Sequence, residues 1–200
     1  RSWLNSFEPE VEYNYSGANL GSDLPAFDSY DQSDPQNALG YSLTSRLTGK
    51  WIDAEGVETQ REVVWLKLSQ DYALRNEVED DYPFSDLRTE LTVRPSTNSS
   101  VAFDALYDFE NGRLPDFSID GSIGDGKGNN LKATYRKRRP VASLDKVDNV
   151  NFRVDTALLK PLFLHYEQRY DILESNSLEQ IVGLDLRQQC WGLNTTLSER

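Results

Sequence analysis

The chain has 200 residues and a formal net charge of −12, from 33 acidic and 21 basic side chains, with one cysteine, one histidine and no methionine. That acidic balance excludes broad engagement of nucleic-acid phosphates, which requires a basic face. No apolar run exceeds Val63-Val64-Trp65-Leu66, far short of the about 18 apolar residues of a spanning helix, so helices are excluded from any bilayer but strands are not.

Period-two alternation recurs along the chain and predicts antiparallel β-structure. It is weak over Val11 to Tyr15, Tyr41 to Leu47 and Val64 to Tyr72. From Leu87 it sharpens: Leu87, Leu91 and Val93 oppose Arg88, Glu90 and Arg94, and then Val101, Phe103, Ala105, Tyr107 and Phe109 oppose Asp104 and Asp108. Next come Phe117, Ile119 and Ile123 against Asp116, Ser118, Asp120 and Ser122, followed by Leu131, Ala133 and Tyr135 against Lys132, Thr134 and Arg136. Val150, Phe152, Val154 and Leu158 alternate with Asn151, Arg153 and Asp155, and Leu162, Leu164, Tyr166 and Tyr170 with His165, Glu167, Arg169 and Asp171. Val182, Leu184 and Leu186 oppose Asp185 and Arg187, and Trp191, Leu193 and Leu197 close the series. The expectation is an all-β, antiparallel up-and-down meander of about eleven strands.

Turn residues lie between these segments at Pro95 to Asn98, Glu110-Asn111-Gly112, Gly124 to Gly128 and Leu159-Lys160-Pro161, as hairpins require. Longer polar connections run from Ser16 to Asn37, Leu74 to Ser85 and Lys137 to Asp148. Short and long alternate from about Trp51, which gathers the long ones at one end of the sheet. No interior domain boundary is visible. A chain that begins at Arg1 without any methionine reads as a piece of a longer polypeptide.

Alternation alone fits either a soluble β-sandwich with its apolar face inward or a membrane barrel with that face toward lipid. Strand lengths of about nine to eleven residues favour the barrel. So do opposite charges two apart on the polar face, at Arg88/Glu90, Arg153/Asp155, Glu167/Arg169 and Asp185/Arg187. Aromatics near strand ends, at Trp51, Tyr107, Tyr135, Tyr170 and Trp191, match an interfacial girdle. The alternative is a soluble or surface-exposed glycan-binding sandwich that uses Trp65 and Tyr72.

Several stretches together resemble the C-terminal barrel of the lipopolysaccharide-assembly (LptD, OstA or Imp) family of Gram-negative outer membranes. They are Pro9 to Tyr13, Leu24-Pro25-Ala26-Phe27-Asp28, Tyr82 to Leu87, Gly128 to Tyr135 and Gln189-Cys190-Trp191-Gly192-Leu193 ahead of Glu199-Arg200. The resemblance covers nearly the whole chain. It implies that residues 1–200 are a single segment of a large transmembrane β-barrel, with the first half and last strand outside it. The implied activity is insertion of lipopolysaccharide into the outer leaflet, with no enzyme chemistry. The implied partners are lipopolysaccharide, outer-membrane lipid, a lipoprotein plug (LptE-like) and a periplasmic bridge protein (LptA-like) acting through the N-terminal domain.

Cys190 resembles the family cysteine that bridges to that domain, although Gln189 stands where the family often has a second cysteine; by itself it reads equally as a free thiol. The resemblance puts Cys190 on the periplasmic side, with the short turns, and the long connections outside. The basic run Arg136-Lys137-Arg138-Arg139 then sits at the outer rim, as a contact for lipid A phosphates or as a solubilising loop. The acidic group Glu77, Glu79, Asp80 and Asp81 reads as a solvated loop or as a weak divalent-cation site bridging to lipid phosphates. A lone His165 removes multi-histidine metal sites and Ser-His-Asp constellations and reads as a polar lumenal residue. No cofactor is expected, because Gly124-Asp125-Gly126-Lys127-Gly128 lacks the order of a phosphate loop.

Overall fold

The computed structural model describes residues 2–16, 36–52, 56–74, 82–139, 146–159 and 161–200. They form eleven strands: β1 (Ser2–Ser16), β2 (Gln36–Ile52), β3 (Glu58–Ala73), β4 (Leu87–Ser96), β5 (Ser99–Asp108), β6 (Arg113–Gly124), β7 (Asn130–Arg138), β8 (Val147–Leu159), β9 (Leu162–Asp171), β10 (Asn176–Arg187) and β11 (Gly192–Glu199). All lie in one sheet in chain order, each antiparallel to its neighbours. Among the described residues β1 and β11 do not pair with each other, so the sheet is open.

Register turns the alternation of each strand into two continuous faces. Ser45, Leu66, Leu91, Phe103, Ile119, Tyr135, Val150 and Tyr170 form one row across β2 to β9. Lys67, Glu90, Asp104, Ser118, Arg136 and Asn149 form a row on the opposite face. A one-residue slip at any pair would exchange these sets, so the pattern fixes the pairing.

The apolar face is bare. Val101 is 46% exposed, Ile123 59%, Val182 50% and Leu197 73%, and among the described residues the buried apolar ones are the small Ala105 and Ala157. No second sheet covers it among the described residues. This overturns the soluble β-sandwich, because a sandwich must bury that face against a second sheet. It also relocates Tyr72, which lies on the apolar face opposite Leu39, while Trp65 lies on the polar face opposite Arg46.

Connections sort by length. Residues 53–57, 97–98, 125–129, 160–161 and 188–191 join strands at one end, and 17–35, 74–86, 109–112, 139–146 and 172–175 at the other. All the longest are at the second end, as alternation of turn signals predicts. The expected strands near Val11, Tyr41 and Val64 extend to fifteen, seventeen and sixteen residues. In β1 the apolar pattern is broken by Leu4 on the polar face and Asn5 and Pro9 on the apolar one. Pro9 is accommodated because β1 pairs on one side only among the described residues. The expected Lys137 to Asp148 loop shrinks to 139–146, because β7 and β8 continue their pairing through Arg138 and Val147. The turn at 172–175 carries no glycine or proline. Instead Asp171 accepts from the backbone N–H groups of Leu173 (2.8 Å) and Glu174 (3.2 Å), and Ser175 takes a φ of 54°.

In the 125–129 turn, Gly126 and Gly128 adopt φ of 69° and 106°, conformations open to glycine at little cost. The side-chain amide of Asn129 and the backbone N–H of Lys127 donate to the Asp125 carboxylate and hold its pKa below the usual carboxylate range.

The two faces make opposite predictions for adjacent residues. If lipid covers the apolar face, Leu91→Arg in protein reconstituted in bilayers should cost about 2–4 kcal/mol, as for an arginine at membrane depth. Thr92→Arg on the polar face should cost under about 0.5 kcal/mol, as for a typical surface change. Urea unfolding in vesicles reads both; equal costs would contradict the assignment of faces.

Candidate functional site

The polar face is the candidate site, and its principal feature is a ladder of ion pairs. Glu8 of β1 contacts Arg46 of β2 at 3.2 Å, Arg46 contacts Glu62 of β3 at 3.1 Å, and Glu62 contacts Arg94 of β4 at 3.1 Å. This chain of charges crosses four strands. Farther along, Arg88 pairs with Asp104 at 2.8 Å and with Glu90 at 3.4 Å. Arg153 pairs with Asp155 at 3.0 Å and with Glu167 at 3.7 Å, and Arg169 pairs with Glu179 at 3.6 Å. Arg187 meets Asp185 at 2.6 Å. Three of the four charge pairs expected from the sequence therefore form within their strands. Glu167 and Arg169 do not meet each other; each pairs across to the next strand, with Arg153 and Glu179, because neighbouring registers put an opposite charge directly beside it.

These pairs are half exposed, and each such pair contributes only about 0–1 kcal/mol to stability. Their effect is on the surface itself, which is densely charged yet locally neutral and wettable. Hydrogen bonds from Thr134 to Asp120 (2.7 Å) and from Asn151 to Glu167 (3.2 Å), and one between Ser100 and Ser122 (2.8 Å), fill the gaps. Apolar breaks in the face are few. The ring of Phe163 lies under the Arg187 guanidinium at 4.7 Å, and Trp65 stands between Arg46 and Thr92.

His165 lies on the polar face, where its alternation put it, directly across from Gly183. The imidazole fills the space where a Gly183 side chain would be: a Cβ at Gly183 would fall on the ring, with Nε2 at 2.5 Å. The ring thus covers a glycine whose strand would otherwise lose packing.

The basic run does not form one patch. Arg136 and Arg138 point to the polar face, where Arg138 pairs with Asp116 at 3.6 Å. Lys137 points to the apolar face, with its ammonium 5.8 Å from the centre of the Phe117 ring. Arg139, just past the strand, reaches Asp148 at 3.4 Å. Arg136 makes no ion pair among the described residues. Cys190 is an exposed free thiol in the 188–191 connection, at the end with the short turns. Glu77, Glu79, Asp80 and Asp81 lie outside the described residues. Among the described residues no group of three or more His, Cys, Asp or Glu side chains is placed to hold a metal ion.

Sequence reasoning missed a cleft of about 460 Å³ at the long-connection end, between the 82–86 segment and the β5–β6 hairpin. Asp86, Asp108, Glu110 and Asp116 line it with Arg113 and Arg138. Burial, with the nearby Asp108 charge, pushes the Asp86 pKa up. Asp108 is held by Asn111 and by Arg113 at 2.9 Å. The one legible signal was Asp108 and Arg113 bracketing the Asn111-Gly112 turn.

The model of the family LptD: LPS transport system D matches residues 1–182 of the chain. No curated protein matches it.

The contact between His165 and Gly183 is open to a double-mutant cycle. Gly183→Ala should destabilise by about 1–3 kcal/mol, the usual cost of overpacking, while His165→Ala combined with it should recover most of the loss. Strictly additive effects in denaturant unfolding would refute the contact.

Proposed function

The chain belongs to the LptD family, a lipopolysaccharide-transport family of the outer membrane, and we propose that its eleven strands are a continuous stretch of the wall of a larger barrel that inserts lipopolysaccharide into the outer leaflet. The observation that carries this reading is the single sheet with one bare apolar face and one face of paired charges. Such a sheet is stable only where lipid covers the first face and water the second. Its unpaired outer strands, β1 and β11, support closure by further strands of the same wall, since lipid tolerates no open sheet edge.

In this reading the short-turn end faces the periplasm and the long connections face outward, as barrel topology favours. Transport needs no bond chemistry. Sugar and phosphate groups move along the charged face, whose weak, exposed ion pairs can exchange partners with them at low cost. Lys137, Arg138 and Arg139, with Arg136, which makes no ion pair among the described residues, lie at the outer end of the wall, where they meet lipid A phosphates. A lipoprotein plug (LptE-like) occupies the lumen and a periplasmic bridge protein (LptA-like) delivers the substrate through the N-terminal domain. Cys190 forms the disulfide that ties the barrel to that domain, a bond that an oxidising compartment preserves.

Photocrosslinking tests the path. A photoreactive residue at Lys132 in the full-length protein in living cells should capture lipopolysaccharide, and one at the adjacent, outward Leu131 should not. Adducts at Leu131 alone, or at neither position, would overturn the lumenal route. The bridge has its own measurement: mass spectrometry of the unreduced full-length protein should find Cys190 linked to an upstream cysteine, and a free thiol there would refute it.

A further inference from the structure

Among the described residues, Arg46, Arg88, Arg94, Arg113, Arg138, Arg139, Arg153, Arg169, Arg187 and Arg200 each meet a carboxylate. Arg61 is different. It is opposite Gly49 and on the same face as Trp51 and Trp3, which is the apolar face, at the short-turn end. Its guanidinium stacks on Trp51 at 5.0 Å, and its Nη2 donates to the carbonyl oxygen of Pro95 at 3.0 Å. Among the described residues no carboxylate pairs with it, and its Nε is sealed from solvent without a partner. Trp3 packs edge-on against Trp51 at 5.7 Å. Gly49 leaves room for this: a Cβ there would come within 2.7 Å of Trp51 and 2.9 Å of Trp3.

On a lipid-facing wall a cation is expensive at membrane depth and tolerable at the interface, where an anionic headgroup can neutralise it. Beside it the same face is indented. A groove of about 310 Å³ begins at Pro95, the residue that accepts from Arg61, and continues along Val101, Gly121, Ile123, Leu131 and Ala133. Gly121 makes the depression, since a Cβ there would meet only the Ala133 carbonyl, at 3.8 Å. The aromatic pair on β1 and β2 and the apolar groove over β4 to β7 flank the cation on β3, so a phosphate on Arg61 has apolar surface for its lipid on either side.

We propose that Arg61, Trp51 and Trp3 with the Val101 to Ala133 groove form a binding site for a glycerophospholipid of the periplasmic leaflet, its phosphodiester on Arg61 and one acyl chain along the groove. The membrane setting and the leaflet rest on the reading given above; the site itself is on the outside of the wall, away from the transport path.

Native mass spectrometry of the full-length protein released from detergent tests it, after incubation with 1-palmitoyl-2-oleoyl-phosphatidylglycerol, the matching diacylglycerol or lipid A. The wild type should retain phosphatidylglycerol in preference to both of the others. Arg61→Gln should retain roughly tenfold less, the change expected from losing one charge-assisted hydrogen bond, and Arg61→Lys should recover part of it. Gly121→Leu fills the groove and leaves Arg61 in place, so it should also lower retention and serves if Arg61→Gln fails to assemble. Equal retention of diacylglycerol would overturn the phosphate contact, preferential retention of lipid A would overturn the leaflet, and unchanged retention in Gly121→Leu would overturn the acyl groove. Lipopolysaccharide crosslinking at Lys132 is independent of this site, so loss of the lipid site and loss of the transport reading give different results.

Discussion

Everything in this fold depends on one antiparallel backbone ladder that runs without a break through eleven strands. The sheet has no second layer, so its backbone polar groups are satisfied only by neighbouring strands and its side chains must satisfy two different surroundings. A globular domain would gain its stability by packing two layers face to face; the described residues form no such core, and among them no large side chain is fully buried. In a bilayer this arrangement is self-consistent, because unpaired backbone groups cost several kcal/mol each in hydrocarbon and a sheet of neighbours in register leaves none between its edges.

The same constraint governs charge. Side chains on the polar face stand in ranks set by register, so an arginine and a carboxylate meet whenever their strands align them. The pairs are too exposed to stabilise the fold appreciably, and truncating one would change the local field more than the folding free energy. What they establish is a face on which most arginines meet a carboxylate, despite a net −12 for the chain. Among the described residues, cations stand on the apolar face at its two ends: Arg61 on Trp51 at one, and Lys137 on Phe117 at the other. Each rests on an aromatic ring, which supplies attraction to the cation and an apolar body for the membrane side.

Much of this was legible because a two-sided sheet writes its period into the sequence. From β4 onward the apolar and polar sets are those that alternation predicts, and the eleven strands follow. Where legibility failed, local chemistry departed from the pattern. The length of β1 was hidden because Asn5 and Pro9 sit on its apolar side and Leu4 on its polar side. The 172–175 turn was hidden because an aspartate side chain, rather than glycine, closes it. Glu167 and Arg169 were misassigned to each other because a pattern within one strand carries no information about the charges its neighbours bring. The basic run read as a loop because four consecutive cations mask the alternation that sends Lys137 one way and Arg136 and Arg138 the other.

Arg61 stands on the face that alternation along its strand would not give it, and the cause is a shift of register. In β3 the apolar face carries Val64, Leu66 and Leu68, so strict alternation assigns position 61 to the polar face. Between Leu47 and Thr48 the pairing with β3 jumps from Val64 to Glu62, and the extra residue, Val63, reverses the parity of everything before it. That bulge keeps Glu62 on the polar face with Arg46 and Arg94 while turning Arg61 outward against Trp51. The other irregularities, at Val93/Ser96, Leu106/Asp108, Thr156/Leu159 and Ser177/Glu179, likewise fall toward strand ends. A bulge in mid-wall would leave a backbone group unpaired in hydrocarbon. Near the ends, water and headgroups can satisfy it, and there alone the wall is free to re-aim a side chain.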